Sequence, residues 1–217
     1  MSVKEFEKRC LYVVTDPQAQ KGRSHLQVLT EAIQGGARVV QLRDKLASDE
    51  VLAALGKKVR EVCNRWGALL IINERVAVAR AVDADGLHIG QEDFSISEAR
   101  KRMGPGRLLG VSTHNLVQAK KAQAEGADYI GVGPIFSTPT KPDYRPVGVE
   151  LIQQVRESVT IPFVAIGGIN LTNVEEVLAA GAYSIAVVRA VVAQEDVLGA
   201  AKKFKAVLDA WKEKNNE

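Results

Sequence analysis

Eight times along this chain a short apolar run is followed by a stretch of helical periodicity, and that alternation restricts the fold more than any other feature. The runs are LYVVTD from Leu11, VVQLRDK from Val39, ALLIIN ending at Asn73 and GLHIGQED ending at Asp93. LLGVSTHN ending at Asn115, YIGVG from Tyr129, PFVAIGG from Pro162 and SIAVVRA from Ser184 complete the set. Each reads as a nearly continuous apolar strand, the pattern of a strand covered on both faces. A helix at every connection requires neighbouring strands to be parallel. Eight units in 217 residues leave roughly 27 each, enough to close a (β/α)8 TIM barrel. The rival, a doubly wound open sheet, would be expected to carry a GxGxxG turn after its first strand, and none is present.

Helices are expected over 26–34 up to Gly35-Gly36, 48–66, 75–82, 97–103, 116 to Gly126, 149–158 and 197–212. Another lies within TNVEEVLAAG, where Thr172 and Glu175 have the spacing of a capping box and Gly181 a C-terminal stop. No Pro/Ser/Gly-rich linker interrupts the series, so residues 1–217 form one expected domain. The segment MSVKEFEKR, within residues 1–10, is expected to add a short helix ahead of the first strand.

Charged residues make up 25% of the chain and apolar ones 46%, which excludes a disordered polymer. The net charge of +3 is small and its cations alternate with acids, so no nucleic-acid partner is expected. No apolar run approaches the roughly 20 residues of a membrane span. Cys10 and Cys63 lack metal-ligand or CxxC spacing and are expected to be reduced thiols of a soluble cytoplasmic protein, with homo-oligomer formation left open.

In such a barrel, function gathers where the strands end. The ends here carry Gln41, Arg43 and Lys45; Asn73 and Glu74; Asp93; Ser112, His114 and Asn115; Thr138, Thr140 and Lys141; Gly167 and Gly168; Val188 and Arg189. The stretch from Tyr129 to Lys141 passes from strand through Gly133-Pro134 to hydroxyls and a cation, a loop suited to gripping an oxyanion. Glu74 and Asp93, from adjacent strands, could meet over Mg2+; alternatively Asp93 begins the next helix. Arg43, Lys45 and Lys141 suit the oxygens of a diphosphate, or are solvated cations. Gln41 and Asn73 can both donate and accept, as a heterocycle requires. Gly167 and Gly168 form either a backbone phosphate cradle or a tight turn. One of Ser112, Thr113 and Asn115 is expected to cap the helix from Leu116, while Ser112 faces the mouth. His114 is a proton carrier or a packing residue; His88 is expected to be a satisfied interior histidine, and His25 a surface one.

The motifs QLRDK, IINE, GLHIGQED, GVSTHN, GVGPIFSTPTK and VAIGGIN, in this order, make the chain resemble the thiamine phosphate synthase family over nearly its whole length. That resemblance implies a (β/α)8 barrel joining hydroxymethylpyrimidine diphosphate to a thiazole phosphate, with release of pyrophosphate. It implies that Gln41, Arg43, Lys45, Asn73, Ser112 and Lys141 bind the pyrimidine diphosphate and that Glu74 and Asp93 hold Mg2+. Thr138, Thr140, Gly167 or Gly168, and Val188-Arg189 would bind the thiazole phosphate. It also implies a dissociative reaction, with loss of carbon dioxide if the thiazole is carboxylated. Two departures stand out: Glu74 occupies an aspartate position, and Arg189 a position usually held by serine. Related alternatives are a thiazole tautomerase and a non-catalytic, thiamine-phosphate-binding regulatory barrel.

Overall fold

A computed structural model describes Phe6, residues 10–140 and residues 144–214. Eight strands, β1 (Leu11–Val14), β2 (Val39–Leu42), β3 (Leu69–Asn73), β4 (Gly86–Ile89), β5 (Leu108–Thr113), β6 (Tyr129–Val132), β7 (Phe163–Ile166) and β8 (Ser184–Val187), pair in parallel in chain order. The β1–β8 pair closes the barrel, setting Leu11 opposite Ile185 and Val13 opposite Val187. The helices between and after them are α1 (His25–Gln34), α2 (Asp49–Trp66), α3 (Val76–Ala81), α4 (Ile96–Met103), α5 (Leu116–Ala124), α6 (Glu150–Ser158), α7 (Val174–Ala179), α8 (Arg189–Val192) and α9 (Val197–Lys214). The short α8, directly after β8, was not anticipated. The helix expected over the first nine residues lies outside the described residues except for Phe6, which is helical.

The pleat sorts each strand between two cores. Leu11, Val13, Val40, Leu70, Ile72, Ile130 and Ile185 face the helices. Tyr12, Val14, Val39, Leu69, Ile71, Tyr129, Val164 and Ala186 fill the barrel interior with Phe6. Both faces of the strands are therefore dry, which is why their sequences carry so little polar alternation. Ser24, Ser95 and Asn115 accept N–H bonds in the first turns of α1, α4 and α5, and Gly67, at φ +67°, ends α2.

The capping box expected at Thr172 and Glu175 is not formed. Asn173 precedes α7 without a side-chain cap bond. The Thr172 hydroxyl instead donates to Asn170 Oδ1 at 2.6 Å, and Asn173 Oδ1 accepts from the Asn170 N–H at 2.8 Å. Two asparagines offer this turn a better set of local bonds than the helix start does.

The lower end, where strands begin, is fastened by a device used twice. Asp85 Oδ2, just ahead of β4, accepts from the Leu70 N–H of β3 at 2.7 Å and from Arg60 of α2 at 2.5 Å. Asp128, just ahead of β6, accepts likewise from the Leu109 N–H of β5 at 2.7 Å and from Arg100 of α4. Each carboxylate ties a helix to two neighbouring strands. Beneath β8, the Ser184 hydroxyl donates to the Phe6 carbonyl at 2.8 Å and accepts from the Cys10 N–H at 3.0 Å, fixing the segment that leads into β1.

Candidate active site

The upper end opens into a cavity of about 500 Å3, lined from all eight strand ends or the loops that follow them. Inward pleat parity brings Gln41, Asn73, His88 and Ser112 to it, each preceded by an outward apolar residue. Continuing that parity past the strands carries Gly90, His114 and Val188 to its wall.

Its floor is a chain of hydrogen bonds through four strands and β1. Gln41 Nε2 donates to Tyr12 Oη at 2.6 Å, and Tyr12 Oη lies 3.3 Å from Tyr129 Oη. Tyr129 Oη is 3.1 Å from His88 Nδ1, and His88 Nε2 is 3.0 Å from Ser112 Oγ. Burial raises the pKa of both tyrosines far above the ordinary phenol value, so both are neutral. Phe6 stacks on Tyr129 from below, with ring centres 4.2 Å apart.

The rim over β2 to β4 is charged. Thr15 holds the Arg43 backbone on both sides, its hydroxyl accepting from the N–H at 2.8 Å and donating to the carbonyl at 2.9 Å. Asp44 Oδ1 accepts from the Leu46 and Ala47 N–H groups at 2.9 and 3.1 Å, which shapes the turn between Arg43 and Lys45. Its Oδ2 meets His25 Nε2 at 3.1 Å, so His25, 11% exposed, is a supporting residue under this loop and not the surface residue expected. Partial burial opposes the charge of Asp44, but the bonds from His25, Leu46 and Ala47 outweigh it and hold the carboxyl below its ordinary value.

Lys45 Nζ is 3.2 Å from Glu74 Oε2. Glu74 has a left-handed backbone, φ +49°, and its N–H donates to the His88 carbonyl at 2.9 Å. A non-glycine residue in that region is strained, and such strain concentrates at functional sites. Asn73 Nδ2 donates to the same carbonyl at 3.2 Å, which fixes its amide. Asp93 does not start α4, whose cap is Ser95; its Oδ2 closes a turn on the Gly90 N–H at 2.7 Å, and the residue lines the cavity. Among the described residues no group of three or more His, Cys, Asp or Glu side chains forms a metal cluster. Glu74 and Asp93 thus offer a carboxylate pair on one wall, a set that suits a hard cation retaining water or substrate oxygens.

The opposite wall carries glycines, hydroxyls and a guanidinium, a set of donors that suits an anion. Gly167 (φ +103°) and Gly168 (φ +66°) pass so close to the β6 loop that a Cβ would stand 2.4 Å from Pro134 and 2.6 Å from the Ser137 carbonyl. Thr138, Thr140, Val188 and Arg189 border the same space. Thr140 Oγ1 and Arg189 Nε are buried without a hydrogen-bond partner among the described residues. Buried donors of this kind are costly unless a guest accepts from them. Lys141 lies outside the described residues.

His114 contacts the Gly133 carbonyl through Nδ1 at 2.5 Å, and its ring lies 4.8 Å from that of Tyr144. The contact assigns the Nδ1 proton and makes His114 a brace between β5, β6 and the following loop. Asn115, not Ser112 or Thr113, caps α5, through Oδ1 to the Gln118 N–H at 2.9 Å. His88 is satisfied as expected, but it also faces the cavity. Tyr12 and Tyr129 were not singled out. Pleat parity was the available clue for both: Tyr12 alternates with outward Leu11 and Val13, and Tyr129 with outward Ile130. Both cysteines are buried, and burial pushes the Cys63 thiol up to about 12.

The model of a family described as "Thiamine monophosphate synthase" matches residues 11–191. A "Thiamine-phosphate synthase" of Chloroflexus aurantiacus is 49% identical over 215 residues, spanning 99% of each chain. Another, from Methanocella arvoryzae, is 46% identical over 203 residues, 93% of this chain and 96% of its own. Among solved structures, "Thiamine phosphate pyrophosphorylase from Pyrococcus furiosus" superposes with a TM-score of 0.89 at 38% identity, covering 95% of this chain and 98% of that one.

Proposed function

The chain belongs to the thiamine monophosphate synthase family, and from that premise we infer that its rim joins hydroxymethylpyrimidine diphosphate to thiazole phosphate, giving thiamine phosphate and pyrophosphate. The observation that carries this reading is the pairing, within one cavity, of a cation-and-carboxylate wall with a wall of orphaned donors. A diphosphate needs the first and a phosphate monoester the second.

Gln41 and Asn73 would hold the pyrimidine ring, with Arg43, Lys45, Ser112 and Lys141 around the diphosphate. On binding, the Lys45–Glu74 contact would be exchanged for Lys45 on phosphate oxygen and Glu74 toward the metal. Glu74 and Asp93 are the residues that would hold Mg2+, which when bound supplies positive charge to the diphosphate oxygens. Thr138, Thr140, Gly167, Gly168 and Arg189 would seat the thiazole phosphate, and Val188 its ring.

The bond between the pyrimidine methylene and the diphosphate oxygen breaks first. Both its electrons leave with pyrophosphate, and the thiazole nitrogen then supplies the pair that forms the new carbon–nitrogen bond. This route asks the protein for charge neutralisation and alignment and for no covalent nucleophile. The Arg43 fork and Lys45 meet the first demand, and the two opposed walls the second. The aromatic floor keeps water from below the reacting carbon. A cytoplasmic setting belongs to the same proposal and accords with Cys10 and Cys63 lacking CxxC or metal-ligand spacing.

The test is to incubate the purified protein with both phosphorylated substrates and Mg2+ and to follow thiamine phosphate and pyrophosphate. Coupled formation of both products is expected. Binding without turnover would indicate a silent barrel, and isomerisation of the thiazole alone a tautomerase.

A further inference from the structure

The hydrogen-bond chain under the cavity has a direction. Gln41 Nε2 donates to Tyr12 Oη, so the Tyr12 proton must find another acceptor, and Tyr129 Oη is 3.3 Å away. Tyr12 is 2% exposed, and reversing this contact would leave its hydroxyl hydrogen buried without a partner. Tyr129 in turn donates to His88 Nδ1, which leaves Nε2 as the protonated nitrogen and the donor to Ser112 Oγ. Two consequences appear at the ends. Gln41 turns its Oε1, an acceptor, to the guest, and Ser112 keeps its own hydroxyl hydrogen to donate.

The site makes room for this chain. A Cβ on Gly110 of β5 would stand 2.1 Å from the Tyr129 ring and 2.5 Å from His88 Nδ1, so the two rings can meet because residue 110 is glycine. Phe6 closes the same rings from beneath.

We propose that Tyr12, Tyr129 and His88 are positioning residues that form a one-directional relay across the barrel floor, fixing Gln41 as an acceptor for the amino group of the pyrimidine and Ser112 as a donor to the departing pyrophosphate. The substrate assignments rest on the function proposed above; the direction of the relay rests on the geometry alone. The relay is a specificity device. A ring with a hydrogen-bond donor at the recognised position keeps every bond, and one with an acceptor there confronts Gln41 Oε1 with a second lone pair. Removing the Tyr12 hydroxyl frees the Gln41 amide to turn over and accept either ring.

The experiment uses Tyr12→Phe and Tyr129→Phe, whose rings keep the packing, with wild type alongside. The probes are 4-amino-5-hydroxymethyl-2-methylpyrimidine and its 4-oxo counterpart, whose dissociation constants are measured by calorimetry. Wild type is expected to prefer the amino ring by about tenfold or more, and Tyr12→Phe to lose most of that preference. Tyr129→Phe cuts the chain in the middle: Tyr12 loses the acceptor of its proton and turns it to Gln41, so ring discrimination falls here too, while pyrophosphate inhibits about tenfold less well and the KM for thiazole phosphate stays unchanged. If wild type binds both rings alike, or Tyr12→Phe discriminates as wild type does, the relay is refuted. If Tyr12→Phe does not fold, an unchanged pyrophosphate inhibition constant in Tyr129→Phe refutes it equally. Failure of wild type to form thiamine phosphate overturns the proposed function and leaves the ring-preference test of the relay standing.

Discussion

Arg189 is the residue whose chemistry is most exposed to test. Its Nε is buried without a hydrogen-bond partner among the described residues, in the cavity that Gly167 and Gly168 also line, where a phosphate would complete it. Arg189→Ser should therefore raise the KM for thiazole phosphate about tenfold or more, with the KM for the pyrimidine diphosphate unchanged, in steady-state kinetics varying one substrate at a time. Asp93→Ala should lower turnover about a hundredfold while melting within a few degrees of wild type, because in the fold Asp93 closes a single turn at Gly90. Asp44 acts through pH. Its folded carboxyl lies below its ordinary 3.8, so it contributes stability above that value and loses it as pH falls through the depressed folded value. Asp44→Asn should thus narrow the difference in melting temperature between pH 6 and pH 3, and should loosen the turn that carries Arg43 and Lys45.

Among the elements, strands and long helices were legible because their patterns are local. Continuous apolar runs marked all eight strands, and the three polar residues ahead of the helical pattern from Leu116 included the real cap of α5, Asn115. Thr172 and Glu175 carry the spacing of a capping box, yet Thr172 caps nothing, since Asn170 and Asn173 take the bonds first. Ser95→Ala should cost about 1 kcal/mol in urea unfolding and leave activity intact, while Thr172→Ala should cost less. The upper rim was legible at Gln41, Arg43, Asn73, Glu74, Asp93, Ser112, Thr140 and Arg189, all of which line the cavity. The floor was not. Tyr12, His88 and Tyr129 belong to β1, β4 and β6, and no spacing along the chain announces that their side chains meet. His25 was misplaced for a similar reason, because its partner Asp44 is brought over it by the loop after β2.

In the molecule as a whole, the work is divided between two ends. The lower end holds Asp85 and Asp128, each tying a helix to two strands, and Asp85 is the drier, its side chain 13% exposed against 28%. Asp85→Ala strands Arg60 and the Leu70 N–H together, and should cost about 3 kcal/mol. The more open Asp128→Ala should cost less, and both proteins should keep their KM values at low temperature. Those acid–arginine ties stand at the end away from the cavity, and none of their four side chains lines it. A lineage carrying this scaffold can exchange what it grips by rewriting a few lip positions, while the foundation that lets the polypeptide find its shape is inherited untouched.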